Sequence, residues 1–195
     1  LPKYDFPDEE KVRADIVAFC RESLAEGRNP VLFCYSLGKT QEVLAALAPE
    51  GLPVMLHPAA MRLTKIYEKF GVKFPVYREF KKGESDGNII ICPPPHQKNG
   101  ILNHIPARRT AIVSGWALDS GAIYRFKCDA AFPLSDHADY PDLIKFVDQV
   151  KPKRVLTLHG YANEFARTLR ERGYEAFAIG KENQLDLDLG ALTSR

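Results

Sequence analysis

Two short stretches gather the side chains best suited to proton or metal chemistry. "SDHADY" places Ser135, Asp136, His137 and Asp139 side by side, and "LHGY" places His159 before Gly160. Each follows an apolar run that reads as a short strand, so both histidines stand where a strand ends and a loop or helix begins. In α/β layers that edge is where ligands bind. Two parallel strand ends can bring histidines 22 positions apart into one site. An imidazole there can ligate a metal or move protons near neutral pH.

A third stretch, "FCYSLGKTQE" at residues 33–42, ends like a phosphate-binding P-loop at Gly38-Lys39-Thr40. That motif needs a glycine five residues before the Gly-Lys pair, so that the backbone can curl around phosphates. The position is Phe33, and no glycine lies between it and Gly38. What remains is a strand, a tight turn at Ser36-Leu37-Gly38, and a helix starting at Lys39. The N–H groups at such a helix start favour an anion, and a polymer phosphate would suit them as well as ATP. A Ser-capped helix with no ligand is the plain alternative. His57, in "MLHPAA", likewise sits at a strand end before a helix, placed either to touch substrate or to cap.

The elements that must position these residues alternate. Apolar periodicity predicts helices over 8–26, 39–47, 58–70, 140–150 and 162–172. Strands are expected at 31–36, 53–57, 74–80, 88–92, the run ending at Ser114-Gly115, 122–127, 130–134, 154–158 and 174–179. The first hundred residues read as a parallel α/β layer. A change of character near "NHIPARRT" suggests two domains, 1–105 and 106–195. The polar tail after 180 is expected to fray.

Composition bounds the rest. The 195 residues carry 45% hydrophobic and 27% charged side chains, ordinary for a soluble globular protein. A net charge of +2 is too small to argue nucleic-acid binding without local clustering. Apolar runs are strand-sized, so no membrane span is expected. Cys20, Cys34, Cys92 and Cys128 form no C-x-x-C pair and read as buried reduced thiols of a cytoplasmic protein.

The stretch "SDHADYPDLIKFVDQVKPKRVLTLHGYANEFARTLRERGYEAF" resembles the C-terminal part of a metallo-β-lactamase-fold nuclease of the β-CASP group. In that group one His follows a Ser-x pair, a second precedes Gly, and a helix and strand lie between. "PVLFCYSLGKTQEVLAAL" resembles the strand-turn-helix of the β-CASP insertion, and "VSGW" the strand by which the chain returns to the lactamase fold. With "LPKYDFP", the wording is most similar to bacterial exonucleases associated with ATP-dependent DNA ligases, and also to mRNA 3′-end processing exonucleases. The resemblance spans about residues 1–180.

What it implies is an α/β fold, a β-CASP domain over 1–105 and the C-terminal part of a metallo-β-lactamase αββα fold over 106–195. The implied activity is cleavage of phosphodiester bonds in a DNA or RNA single strand, in repair or processing, by two zinc ions per full-length chain. Two such metals, roughly 3.5–4 Å apart, hold a hydroxide and neutralise charge on the phosphate. His159 would be a zinc ligand. His137 would face the scissile phosphate, protonating the leaving oxygen or stabilising its charge, and Asp136 would orient His137 or cap. Ser36, Gly38, Lys39 and His57 would hold a substrate phosphate away from the reacting one. An ATP-dependent DNA ligase is the implied partner.

The H-x-H-x-D-H run that supplies most metal ligands in the group is absent. The five histidines, at 57, 96, 104, 137 and 159, are not so spaced. The expectation is therefore a C-terminal fragment that is inactive alone, with a non-catalytic nucleic-acid-binding module as the competing reading. His96, Lys98, His104, Arg108 and Arg109 are weaker candidates for leading a strand to the site, each otherwise a solvated loop residue. Trp116 either stacks a base or, as the adjoining Gly115 suggests, fills the core.

Overall fold

Strand β1, Asn29–Phe33, sends alternate side chains into two different cores. Val31 and Phe33 enter one, while Leu32 and the following Cys34 enter the other. The same period of two runs through β2 (Val54–Leu56), β4 (Ile89–Cys92) and β5 (Arg108–Val113). A sheet apolar on both faces must be covered on both, which suits parallel strands joined by crossovers. The computed structural model describes residues 5–94 and 100–180, and in it the chain divides into two compact units.

The larger unit, Phe6–His137, holds a six-stranded parallel sheet in the order β3-β2-β4-β1-β5-β6, with β3 at Tyr77–Glu79 and β6 at Ala130–Phe132. Helices α1 (Glu9–Ala25), α2 (Lys39–Ala46) and α3 (Pro58–Lys69) cover one face through Ile16, Phe19, Val43, Leu44 and Ala60. The other face is covered by a short turn at 100–105 and by α4 (Ala122–Phe126), through Ile101, Leu102, Ile105 and Phe126. All four cysteines are free and buried. Burial pushes the Cys20 and Cys92 thiols up to about 12 and holds those of Cys34 and Cys128 above their ordinary value. None supplies a thiolate at neutral pH.

The smaller unit includes 138–180. Helix α5 (Tyr140–Val150) precedes the parallel pair β7 (Val155–Thr157) and β8 (Ala176–Ala178), which α6 (Ala162–Glu171) connects. Ala166 and Leu169 of α6 pack with Val147 and Ala176. Tyr140 meets Phe165 edge-on at 5.9 Å and its hydroxyl donates to Thr168 Oγ1 at 2.9 Å. Leu156 and Phe177, partners in the β7–β8 register, are exposed.

One expectation changes here. Residues 122–126 form a helix where a strand was expected over 122–127. Asp119 Oδ1 accepts from Gly121 N–H and Asp119 O from Ala122 N–H, starting α4, and Lys127 ends it in the left-handed conformation (φ 50°). Because β5 and β6 are parallel, a crossover must lie between them, which a hairpin strand cannot provide. By compactness the chain divides between 137 and 138; the change of character near residue 105 falls between β4 and β5, and β5 pairs with β1 along five residues. The expected tail and the loop residues His96 and Lys98 lie outside the described residues.

Candidate functional site

Adjacent strands β1 and β5 send their connections in opposite directions. From β1 the chain passes through α2, on one face, to β2; from β5 it passes through α4, on the other face, to β6. A parallel sheet opens a crevice at its carboxyl edge where such connections diverge, and ligands bind there. The residues leaving β1 and β5 at that edge are Tyr35-Ser36-Leu37-Gly38 and Ser114-Gly115-Trp116. The residues leaving the next strand, β6, include Ser135-Asp136-His137. The topology thus gathers two of the three sequence stretches at one edge.

The turn after β1 is tight. Lys39 N–H donates to Leu37 O at 3.0 Å across Gly38, whose φ of 78° and ψ of −73° form a γ-turn that a residue with a Cβ rarely adopts. Thr40 donates twice to Tyr35 O, from its N–H at 3.1 Å and its hydroxyl at 2.9 Å. Gln41 Nε2 donates to Ser36 O at 3.2 Å and to Thr64 Oγ1 at 2.8 Å, joining the turn to α3. A Cβ on Gly38 would lie 3.2 Å from Asp136 Oδ2, so the absence of a side chain lets the "SDH" loop approach the turn. The loop is held likewise at Gly115, where a Cβ would stand 3.0 Å from Ser135 Oγ. Ser135 Oγ in turn accepts from His137 N–H at 3.1 Å.

His137 is 88% exposed at its side chain, and its Nδ1 lies 3.2 Å from Asp136 Oδ1. His57 caps α3: its Nδ1 accepts from Ala59 N–H at 3.1 Å. Burial, then the Arg62 charge, hold its imidazole below the usual pKa, so Nδ1 stays available as acceptor at neutral pH. Ser36 is half-buried beside the turn.

Lys39 departs from the expected phosphate contact. Its residue exposure is 2%, and its ammonium pairs with Glu42, which Arg13 of α1 also reaches at 3.2 Å. Buried and neutralised, it pairs within α2 instead of meeting solvent, and Glu42 is also tied to α1 through Arg13. Two of the amides expected to face an anion are also turned inward, onto Leu37 O and Tyr35 O. Arg108 and Arg109 stand at the opposite end of β5. Arg108 donates to Leu102 O and Ile105 O, and Arg109 lies over the Phe19 ring at 4.8 Å. They fasten the sheet and do not lead toward the carboxyl edge. Trp116 is 60% exposed, so it does not fill the core; Gly115 makes room for Ser135 instead. Sequence reasoning missed Tyr35, which is 51% exposed just beyond β1, because the apolar run 31–35 reads as wholly buried.

His159 belongs to the smaller unit. It follows β7 by two residues, exposed, with φ at 66°, and Gly160 after it is also left-handed at 53°. The Thr157 hydroxyl donates to Ala162 O at 2.8 Å and closes this turn. Histidine enters the left-handed region more readily than most non-glycine residues, and Lys127 and Lys151 share that conformation where they end α4 and α5. Among the described residues no group of three or more His, Cys, Asp or Glu side chains could hold a metal ion. A catalytic zinc takes three protein ligands and a water, so the described residues do not by themselves fit a zinc centre.

Residues 124–179 match the family described as the Zn-dependent metallo-hydrolase RNA specificity domain. The matched segment contains both His137 and His159. The chain is also 57% identical over 188 residues to a protein of Opitutus terrae named probable DNA ligase, across 96% of this chain. It spans 18% of that protein's length. No helix among the described residues is long and apolar enough to cross a membrane.

Proposed function

We propose that this chain is the substrate-handling, C-terminal portion of a metal-dependent nucleic-acid phosphodiesterase of the β-CASP group, an exonuclease of DNA repair or processing. The observation that carries the reading is the match of 124–179 to a zinc-dependent metallo-hydrolase domain concerned with RNA specificity, taken with the "SDH" loop lying against the turn after β1. Residues 1–105 are read as the β-CASP part and 106–195 as the returning lactamase part, with β5 as the point of return.

Within that reading His137 is the proton donor to the leaving oxygen. Asp136 orients its imidazole, and the Ser135 hydroxyl fixes its backbone by accepting from the His137 N–H. His159 is a zinc ligand on its left-handed turn. Ser36, Gly38 and His57 line the substrate edge. Lys39 supports that edge from beneath, through Glu42. The remaining ligands of the two proposed zinc ions would come from other parts of the gene product.

The name of the Opitutus terrae relative favours DNA as substrate and a DNA ligase as companion activity. The family description favours RNA, which makes RNA processing the second reading. The test is a cleavage assay of the complete gene product on single-stranded and duplex DNA and RNA, with and without a zinc chelator. Chelator-sensitive degradation of a single strand is expected. Absence of cleavage on all four substrates, with zinc bound, would contradict the reading and favour a binding module.

A further inference from the structure

We propose that Trp116, with Tyr35 beside it in the topology, forms a base-stacking ledge at the carboxyl edge of β1 and β5, which makes single-stranded nucleic acid the form of substrate taken there. This rests on the nucleic-acid reading above and goes beyond it in naming the residues that select an unpaired strand.

The two aromatics leave neighbouring parallel strands whose register pairs Phe33 with Ile112. Trp116 is 60% exposed and Tyr35 51%. Large aromatics normally withdraw most of their surface from water, because each buries a large apolar area. Here local bonds fix the backbone that carries each ring. Tyr35 is anchored by the two bonds from Thr40 to its carbonyl. The Trp116 backbone N–H donates to Ser114 Oγ at 3.3 Å, and Ala117 N–H to Ser114 O at 2.9 Å. Both segments are thus set before any ligand arrives, which lowers the entropy lost on binding.

Charge decides between stacking and phosphate neutralisation. The chain's net charge is only +2, Lys39 is buried and paired, and Arg108 and Arg109 are occupied at the other end of β5. None of these three is therefore available to neutralise a phosphate at this edge. Stacking on an aromatic face needs none, tolerates any base, and requires the base to be unpaired. Duplex ends and folded strands would therefore be excluded until a base is freed.

Trp116 is the chain's one tryptophan, so its emission reports this site alone. The experiment titrates the 195-residue chain with a short oligothymidylate, with an abasic oligomer of the same backbone length, and with a duplex. Binding is followed by anisotropy of a label on the oligomer and by Trp116 emission. The expected result is quenching by oligothymidylate only, with a shallow salt dependence. Trp116→Ala should weaken oligothymidylate binding about 5- to 150-fold, the loss of one stacked base, and Trp116→Phe should restore most of it. If oligothymidylate binds with Trp116 emission unchanged, and no more tightly than the abasic oligomer, the ledge is refuted while the nucleic-acid reading stands. If no oligomer binds at any salt concentration tried, the ledge is refuted, and the nucleic-acid reading is decided separately by the cleavage assay on the complete gene product.

Discussion

Among single residues, the structure gives different work to side chains that look alike in the sequence. His57 acts as a cap whose Nδ1 must be unprotonated, and its pKa is held below the ordinary 6.5 by burial and Arg62. The unfolded chain therefore binds this proton more readily than the folded one. Stability from this group is complete above about pH 6.5 and falls as pH drops through the window below it. His57→Asn keeps a capping acceptor and removes the titration. Urea unfolding at a series of pH values should show a flatter acid limb for the variant; an unchanged limb would contradict the assignment. Lys39 is tied down by charge instead. Lys39→Ala should cost about 1–3 kcal/mol of stability, because Glu42 loses a buried partner yet keeps Arg13. Its effect on the salt slope of oligomer binding should be nil once the folded fraction is equalised, the opposite of what a phosphate contact would give.

Among the helices and strands, most of the fold is legible in the sequence because its periods are clean. Continuous apolar runs announce strands buried on both faces, and Gly27, Pro30 and Gly71 punctuate the helices. Helices α2, α3, α5 and α6 fall within a residue or so of the expected spans. "AIYRF" misleads because so short an apolar-rich run fits either period, and only the parallel pairing of β5 with β6 decides for a helix. The site is less legible. Residue types flag Asp136, His137 and Gly38, but nothing in spacing tells that Lys39 turns inward or that Trp116 turns outward. Those directions accompany the Glu42 pair that Arg13 of α1 joins and the Gly115–Ser135 approach, both of which involve residues distant in sequence. The junction can be tested. Gly115→Ala sets a methyl against Ser135 and within 3.3 Å of Phe6 Cζ, and overpacking there should cost about 1–3 kcal/mol. Ser135→Gly in the same chain should recover part of that loss in urea unfolding. No recovery would place the strain elsewhere.

Taken over the whole chain, the described residues place the proposed substrate edge in one unit and His159 in the other, and no group of them could hold a metal ion. The proposed function stands or falls on a division of labour: His159 binds metal, His137 moves a proton, and both serve one phosphodiesterase. Zinc content by elemental analysis, measured beside the cleavage rate on the complete gene product, separates the two roles. His159→Ala should lower zinc and remove most cleavage. His137→Ala should keep its zinc and lose roughly 10²–10⁴ in rate, the share a general acid supplies. Full zinc with full activity in His159→Ala, or zinc lost from His137→Ala, would contradict that division.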